Sequence, residues 1–179
     1  KQWIHAESRV SGYRNVVSLI EENLIRRKRK VPISFLYEYA AALERVGRRE
    51  DCERVLREGE GALMSARSET HQLLLLQRAR LLSNAGMFKE SLEQLKNINP
   101  DMLPVWGRAR YLVTCIHDCE PLGFEDRSRS ATEEADQLPL EPKLVDELLR
   151  VEYNKIRRML AAGTYTPAIK MIRRGMRLA

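Results

Sequence analysis

Aromatic residues make up only 6% of this chain, two Trp, six Tyr and three Phe among 179 residues. Sheets draw on aromatic and β-branched side chains. Their scarcity leaves a core of Leu, Ile, Val, Ala and Met, the composition of packed helices. Long apolar runs are missing as well. The longest aliphatic stretch, residues 73–76, falls far short of the about 18 residues a membrane-spanning helix needs. Residues 1–10 lack the apolar centre of a secretory signal, and a chain that opens on Lys1 instead of Met is read as a fragment. Cysteine is sparse and odd in number, with Cys52, Cys115 and Cys119, which speaks against a disulfide framework and for a reducing, intracellular setting, cytoplasmic or nuclear. The chain has no Gly-rich phosphate loop, no His-Glu-x-x-His helix and no nucleophile elbow. Carboxylate pairs such as Glu21 with Glu22 and Glu133 with Glu134 are adjacent along a helix and diverge, so they read as surface charge and not as an acid/base couple. No enzyme activity, cofactor or metal is expected.

What is present is a repeated pattern of a small residue, a turn glycine, a second small residue and a large apolar one. Ala40, Gly47, Cys52 and Leu56 are matched by Ala79, Gly86, Ser91 and Leu95, and the second half recurs as Gly163, Ala168 and Ile172. Upstream, Leu36, Tyr39 and Leu43 correspond to Leu75 and Leu82, and the last copy carries Ile156 and Met159. Each copy reads as two short helices folded back on one another, the glycine closing the first and the small residues admitting the second. A helix pair of this size cannot bury its own apolar face, so neighbouring pairs must stack.

These offsets resemble the tetratricopeptide repeat (TPR), over roughly residues 33–179. The glycines at 47 and 86 are 39 positions apart, against about 34 residues in that family. Leu36 and Leu75 replace an aromatic near the start of its first helix, and Ile156 stands where a small residue is usual. The resemblance implies an all-α fold, antiparallel helix pairs stacked as a TPR-like superhelix or α-solenoid. It also implies a non-enzymatic scaffold that holds a partner's peptide or helix in a groove.

Local signals divide the chain further. A helix over residues 13–29, entered through Ser11 and Gly12 and preceded by a shorter one near 3–10, forms an N-terminal segment, residues 1–32, expected to pack on the stack. Pro32 closes it. Helices are then expected at 33–46 and 49–66, at 71–84 and 88–97 after the capping pair Ser68 and Thr70, and at 103–118 with Pro104 in its first turn. The stretch 119–130, with Pro, Gly and mixed charge, reads as a long loop before a short helix at 131–138. That makes 103–138 a degenerate repeat. After Pro139 and Pro142 a long helix over 143–162 and a final one opened by Thr166 and Pro167 complete the domain.

Charge is unevenly distributed. The net is +5 over residues 1–30, +1 over 31–117, −6 over 118–142 and +6 over 143–179, within a chain total of +6. Arg26, Arg27, Lys28, Arg29 and Lys30 are consecutive cations, and Lys170, Arg173, Arg174 and Arg177 share one helix face. Arg150, Arg157 and Arg158 form a shorter stripe on the helix before. Together they are a candidate basic patch for phosphates or an acidic peptide, with cations at helix ends as the plainer explanation. Cys115, His117 and Cys119 lie close together, but a structural zinc site needs four ligands, and buried packing explains the thiols.

On the first helices of the pairs, Tyr37, Glu44, Arg78, Asn84 and Arg110 are the candidate groove contacts. Arg78 and Arg110 favour an acidic motif, held by bidentate hydrogen bonds. The expected partner is another protein, and the chain reads as the regulatory or oligomerising domain of a larger protein. Self-association into a homodimer follows if basic and acidic segments meet between two copies. Nucleic acid, bound through the basic faces, is the alternative.

Overall fold

The computed structural model describes residues 12–26, 30–63, 68–139, 153, 155–157, 159–160, 162–164 and 169. All regular structure among them is helical. Two compact units divide the chain, Lys1–Leu103 and Pro104–Ala179.

The first unit opens with α1 (Tyr13–Ile20), which runs on as a π-helical turn, Glu21–Ile25. Its apolar stripe, Val16, Val17 and Ile20, is buried where α1 packs on α2 (Ile33–Arg45). A polar latch secures the π turn: the Glu21 carboxylate accepts from Tyr39 Oη at 3.3 Å and from Arg48 Nη1 at 2.6 Å, and Arg48 also donates to Asp51. Pro32 precedes α2 with an extended backbone, as a residue outside the helix should.

Helix α2 folds back onto α3 (Arg49–Leu63), and α4 (Glu69–Asn84) packs on both before folding back onto α5 (Phe88–Lys96). Ser68 caps α4 as its sequence signal requires, its hydroxyl accepting from the His71 amide at 3.3 Å. A 3₁₀ turn, Pro100–Met102, follows α5 and is closed by the Asn99 side chain accepting from the Asp101 amide. The repeated small residues meet inside the hairpins: Ala40, Cys52, Ala79 and Ser91 are all 0% exposed. Ser91 Oγ donates to the Ala79 carbonyl at 2.8 Å, so the hydroxyl costs nothing in the core. Gly59 of α3 is a further close approach, because a Cβ there would lie 2.8 Å from Leu74 Cδ1 and 3.1 Å from Leu36 Cδ1.

In the second unit α6 (Val105–Cys119) folds back onto α7 (Glu125–Asp136). This corrects the long loop expected over 119–130: the connection is only residues 120–124, and the helix begins before 131. The misreading has a physical cause. Apolar periodicity finds helices by their large residues, and α7 buries Ser128, Ala131, Thr132 and Ala135, an i, i+3, i+4, i+7 face without one. Pro104 likewise caps α6 instead of entering its first turn.

The degenerate repeat is therefore regular. Gly47, Gly86, Gly123 and Gly163 all have left-handed φ, between 70 and 80°. After each, the next amide donates to the carbonyl five residues back: Arg48 to Leu43, Met87 to Leu82, Phe124 to Cys119 and Thr164 to Met159, at 2.8–3.0 Å. This is the Schellman helix stop, which glycine enters without the penalty a Cβ incurs.

Acidic and basic segments meet inside the second unit: Lys155 pairs with Asp136, Arg157 with Glu120, and Arg108 with Glu134 at 2.7 Å. The helix expected near 3–10 lies outside the described residues, as do most of 143–162 and, apart from residue 169, the helix expected from Thr166 onward.

Candidate functional site

A groove of about 260 Å³ opens between α3 and α4. Arg49, Glu53, Leu56 and Arg57 come from α3, and Arg78, Leu81 and Leu82 from α4. The spacing explains the lining, since residues 49, 53, 56 and 57 share one helical face, as do 78, 81 and 82. Met87 completes it, 40% exposed. The Gly86 turn places Met87 there, its amide bonded back to the Leu82 carbonyl at 3.0 Å.

The groove has an apolar floor and a basic rim. Three guanidiniums face one carboxylate in the lining. Arg49 Nε donates to Glu53 at 3.1 Å, and Arg78 Nη1 to Glu60 at 2.5 Å, whereas Arg57 has no ionic partner among the described residues. No lining residue is a nucleophile or an imidazole. The arrangement can grip an apolar side chain and a carboxylate together.

The residues expected to line a groove fall in different places. Arg78 is on this rim. Tyr37 is a correction: it is 4% exposed and belongs to the core of α2. Its neighbours along the helix, Leu36 and Ala40, are buried with it. Glu44 and Asn84 are brought together, but by each other: the Glu44 carboxylate accepts from Asn84 Nδ2 and from Gln77 Nε2, the latter at 2.5 Å, tying α2 to α4. Gln77 in turn accepts from the buried Arg80 at 3.3 Å. Arg110 is in the second unit, its guanidinium 5.4 Å from the centre of the Trp106 ring. Of the basic patch, Arg26 and Lys30 are exposed and Arg157 is paired with Glu120. Arg27, Lys28, Arg29, Arg150, Arg158, Lys170, Arg173, Arg174 and Arg177 lie outside the described residues.

Arg49, Glu53, Arg57, Leu81 and Met87 went unmarked in the sequence, and Leu56 and Leu82 were read only as repeat positions. Arg49, Glu53 and Arg57 do stand at i, i+4 and i+8, which places them on one face of α3. Nothing local says that this face opens onto α4.

Cys115 and Cys119 are buried one turn apart, with sulfurs 4.0 Å apart. Burial pushes both thiols up, Cys119 to about 12, and Cys52 likewise to about 12. They are protonated at neutral pH and poor as nucleophiles or ligands. His117 points elsewhere, with Nδ1 3.1 Å from Asp118 Oδ1. Among the described residues no three His, Cys, Asp or Glu side chains gather as a metal site would require, and no helix is long and apolar enough to cross a membrane.

No curated protein and no solved structure matches the chain. Residues 57–155, more than half of its length, match the family described as the SusR N-terminal TPR domain. TPR domains are protein-interaction modules and typically non-catalytic scaffolds. With its Gly-closed helix hairpins and their buried small residues, the chain belongs to the SusR N-terminal TPR domain family.

Proposed function

We propose that the chain is a non-enzymatic interaction module that docks a peptide or helix of another protein in the groove between α3 and α4. The observation that carries this reading is the pairing of an apolar floor, Leu56, Leu81, Leu82 and Met87, with the guanidiniums of Arg49, Arg57 and Arg78. Burying an apolar side chain supplies affinity, at about 25 cal/mol per Å² removed from water. Arg57, without an ionic partner among the described residues, supplies specificity through a bidentate bond to a carboxylate. The ligand is therefore an acidic segment with an apolar residue beside its carboxylate. The family description, an N-terminal TPR domain, supports a place for the module in a longer protein.

The test is capture of partners from a native lysate by the full chain and by Arg57→Glu, with nuclease and salt varied in parallel. A discrete protein that survives nuclease and is lost at least tenfold on charge reversal supports the reading. Undiminished capture by the variant excludes the groove, and capture that nuclease abolishes moves nucleic acid and the basic faces to first place.

A further inference from the structure

We propose that the groove is filled by a second copy of this chain, which inserts Phe124 flanked by Glu125 and Asp126. This rests on the reading of the groove given above and names its occupant.

Phe124 is 48% exposed, a large apolar ring presented to solvent. It follows Gly123 as Met87 follows Gly86, so the same turn geometry that places Met87 in the groove places Phe124 at the surface of the second unit. Its backbone is held twice: the Phe124 amide donates to the Cys119 carbonyl, and its carbonyl accepts from the Ser128 amide, each at 3.0 Å. A knob on so fixed a backbone adds little loop-ordering cost on docking. Glu125 and Asp126 follow at once in the first turn of α7, both exposed, Asp126 fully so with Arg129 no nearer than 4.0 Å. The knob is thus one aromatic ring with two carboxylates beside it.

The groove is its complement. Its floor is apolar, and its lining carries three guanidiniums to one carboxylate, with Arg57 unpaired among the described residues. Its volume of about 260 Å³ has room for one aromatic side chain at a time. Donor and acceptor lie in different units, so the knob of one copy meets the groove of another, by reciprocal exchange in a two-fold pair or head to tail. A contact this small belongs with the weak, transient interfaces. It is to be read in concentration dependence and not in a fixed oligomer.

The experiment is sedimentation velocity of the full chain over a dilution series at low salt, with unchanged helical circular dichroism as the folding control. Weight-average mass should rise with concentration, and Phe124→Ser or Arg57→Glu should each weaken association at least tenfold. Both positions are exposed, so neither change opens the core. Mixing Arg57→Glu with the double variant Glu125→Arg, Asp126→Arg should restore association that neither shows alone. A chain that stays monomeric throughout, or association indifferent to these changes, overturns the proposal. A blocked synthetic peptide of one Phe followed by two Glu separates the two readings. If it binds the wild-type chain, and not Arg57→Glu, while the chain remains monomeric, the groove stands and the second copy falls; if it does not bind and the chain is monomeric, both fall.

Discussion

Gly86 adopts φ 75° and would set a Cβ in open space, with no atom within 4 Å. The cost of Gly86→Ala is therefore backbone strain alone, about 1–2 kcal/mol for a left-handed alanine. Urea unfolding should show it as a lower midpoint with unchanged slope. His117 makes a second prediction. Its hydrogen bond to Asp118 holds the imidazole above its ordinary value of 6.5, burial opposing. The folded chain therefore binds this proton more tightly than the unfolded one. The contribution is complete below about pH 6.5 and fades as pH rises through the folded value. His117→Gln should flatten the fall in stability across that window, and a proton NMR titration of the wild-type ring should place its midpoint above 6.5.

At the scale of elements, α7 shows how a helix can be fixed by what its neighbour tolerates. Its buried face is Ser128, Ala131, Thr132 and Ala135, and Thr132 Oγ1 satisfies itself on the Ser128 carbonyl at 2.7 Å. Such a face lets α7 approach α6 closely, and enlarging it should be costly. Ala135 is 1% exposed, so Ala135→Leu should cost about 1–3 kcal/mol by overpacking. Glu133→Leu, on the exposed face, should stay within about 0.5 kcal/mol. Thermal unfolding of the two variants side by side distinguishes a packed α7 from a loosely held one. Gly59 follows the same logic in α3, where Leu74 and Leu36 already fill the space of a Cβ.

For the whole molecule, charge separates stability from recognition. The longer-range ion pairs among the described residues are part-exposed: Arg48 with Glu21, Arg78 with Glu60, Arg108 with Glu134, Lys155 with Asp136 and Arg157 with Glu120 have side-chain exposures between 14 and 58%. Pairs of this kind contribute about 1 kcal/mol or less each, so raising salt to about 1 M, where the screening length is about 3 Å, should move the unfolding midpoint little. Recognition led by Arg57 should respond strongly, because its partner must be attracted through water. Denaturant titrations and binding isotherms over the same salt series check this, and equal sensitivity of both would deny the groove its electrostatic role.

The helix hairpins were legible because their signals are local. Gly47 and Gly86 stop helices through their own backbone freedom, and Ser68 caps α4 through an amide three residues away. The repeat of small residues at fixed offsets from those glycines was enough to imply the TPR fold. The fate of individual polar and aromatic side chains was not legible, because it depends on partners far along the chain. Glu44 meets Gln77 and Asn84, 33 and 40 residues on, and is thereby spent on joining α2 to α4. Tyr37 is buried where its sequence neighbourhood allowed a groove position, and Arg57 has no ionic partner among the described residues on a rim whose other cations found carboxylates. Backbone punctuation is written within a few residues and acts before anything packs, so the sequence by itself determined the hairpins. Burial and pairing are properties of surfaces brought together from distant segments, so only the tertiary structure decided which faces of those hairpins are buried and which stay exposed.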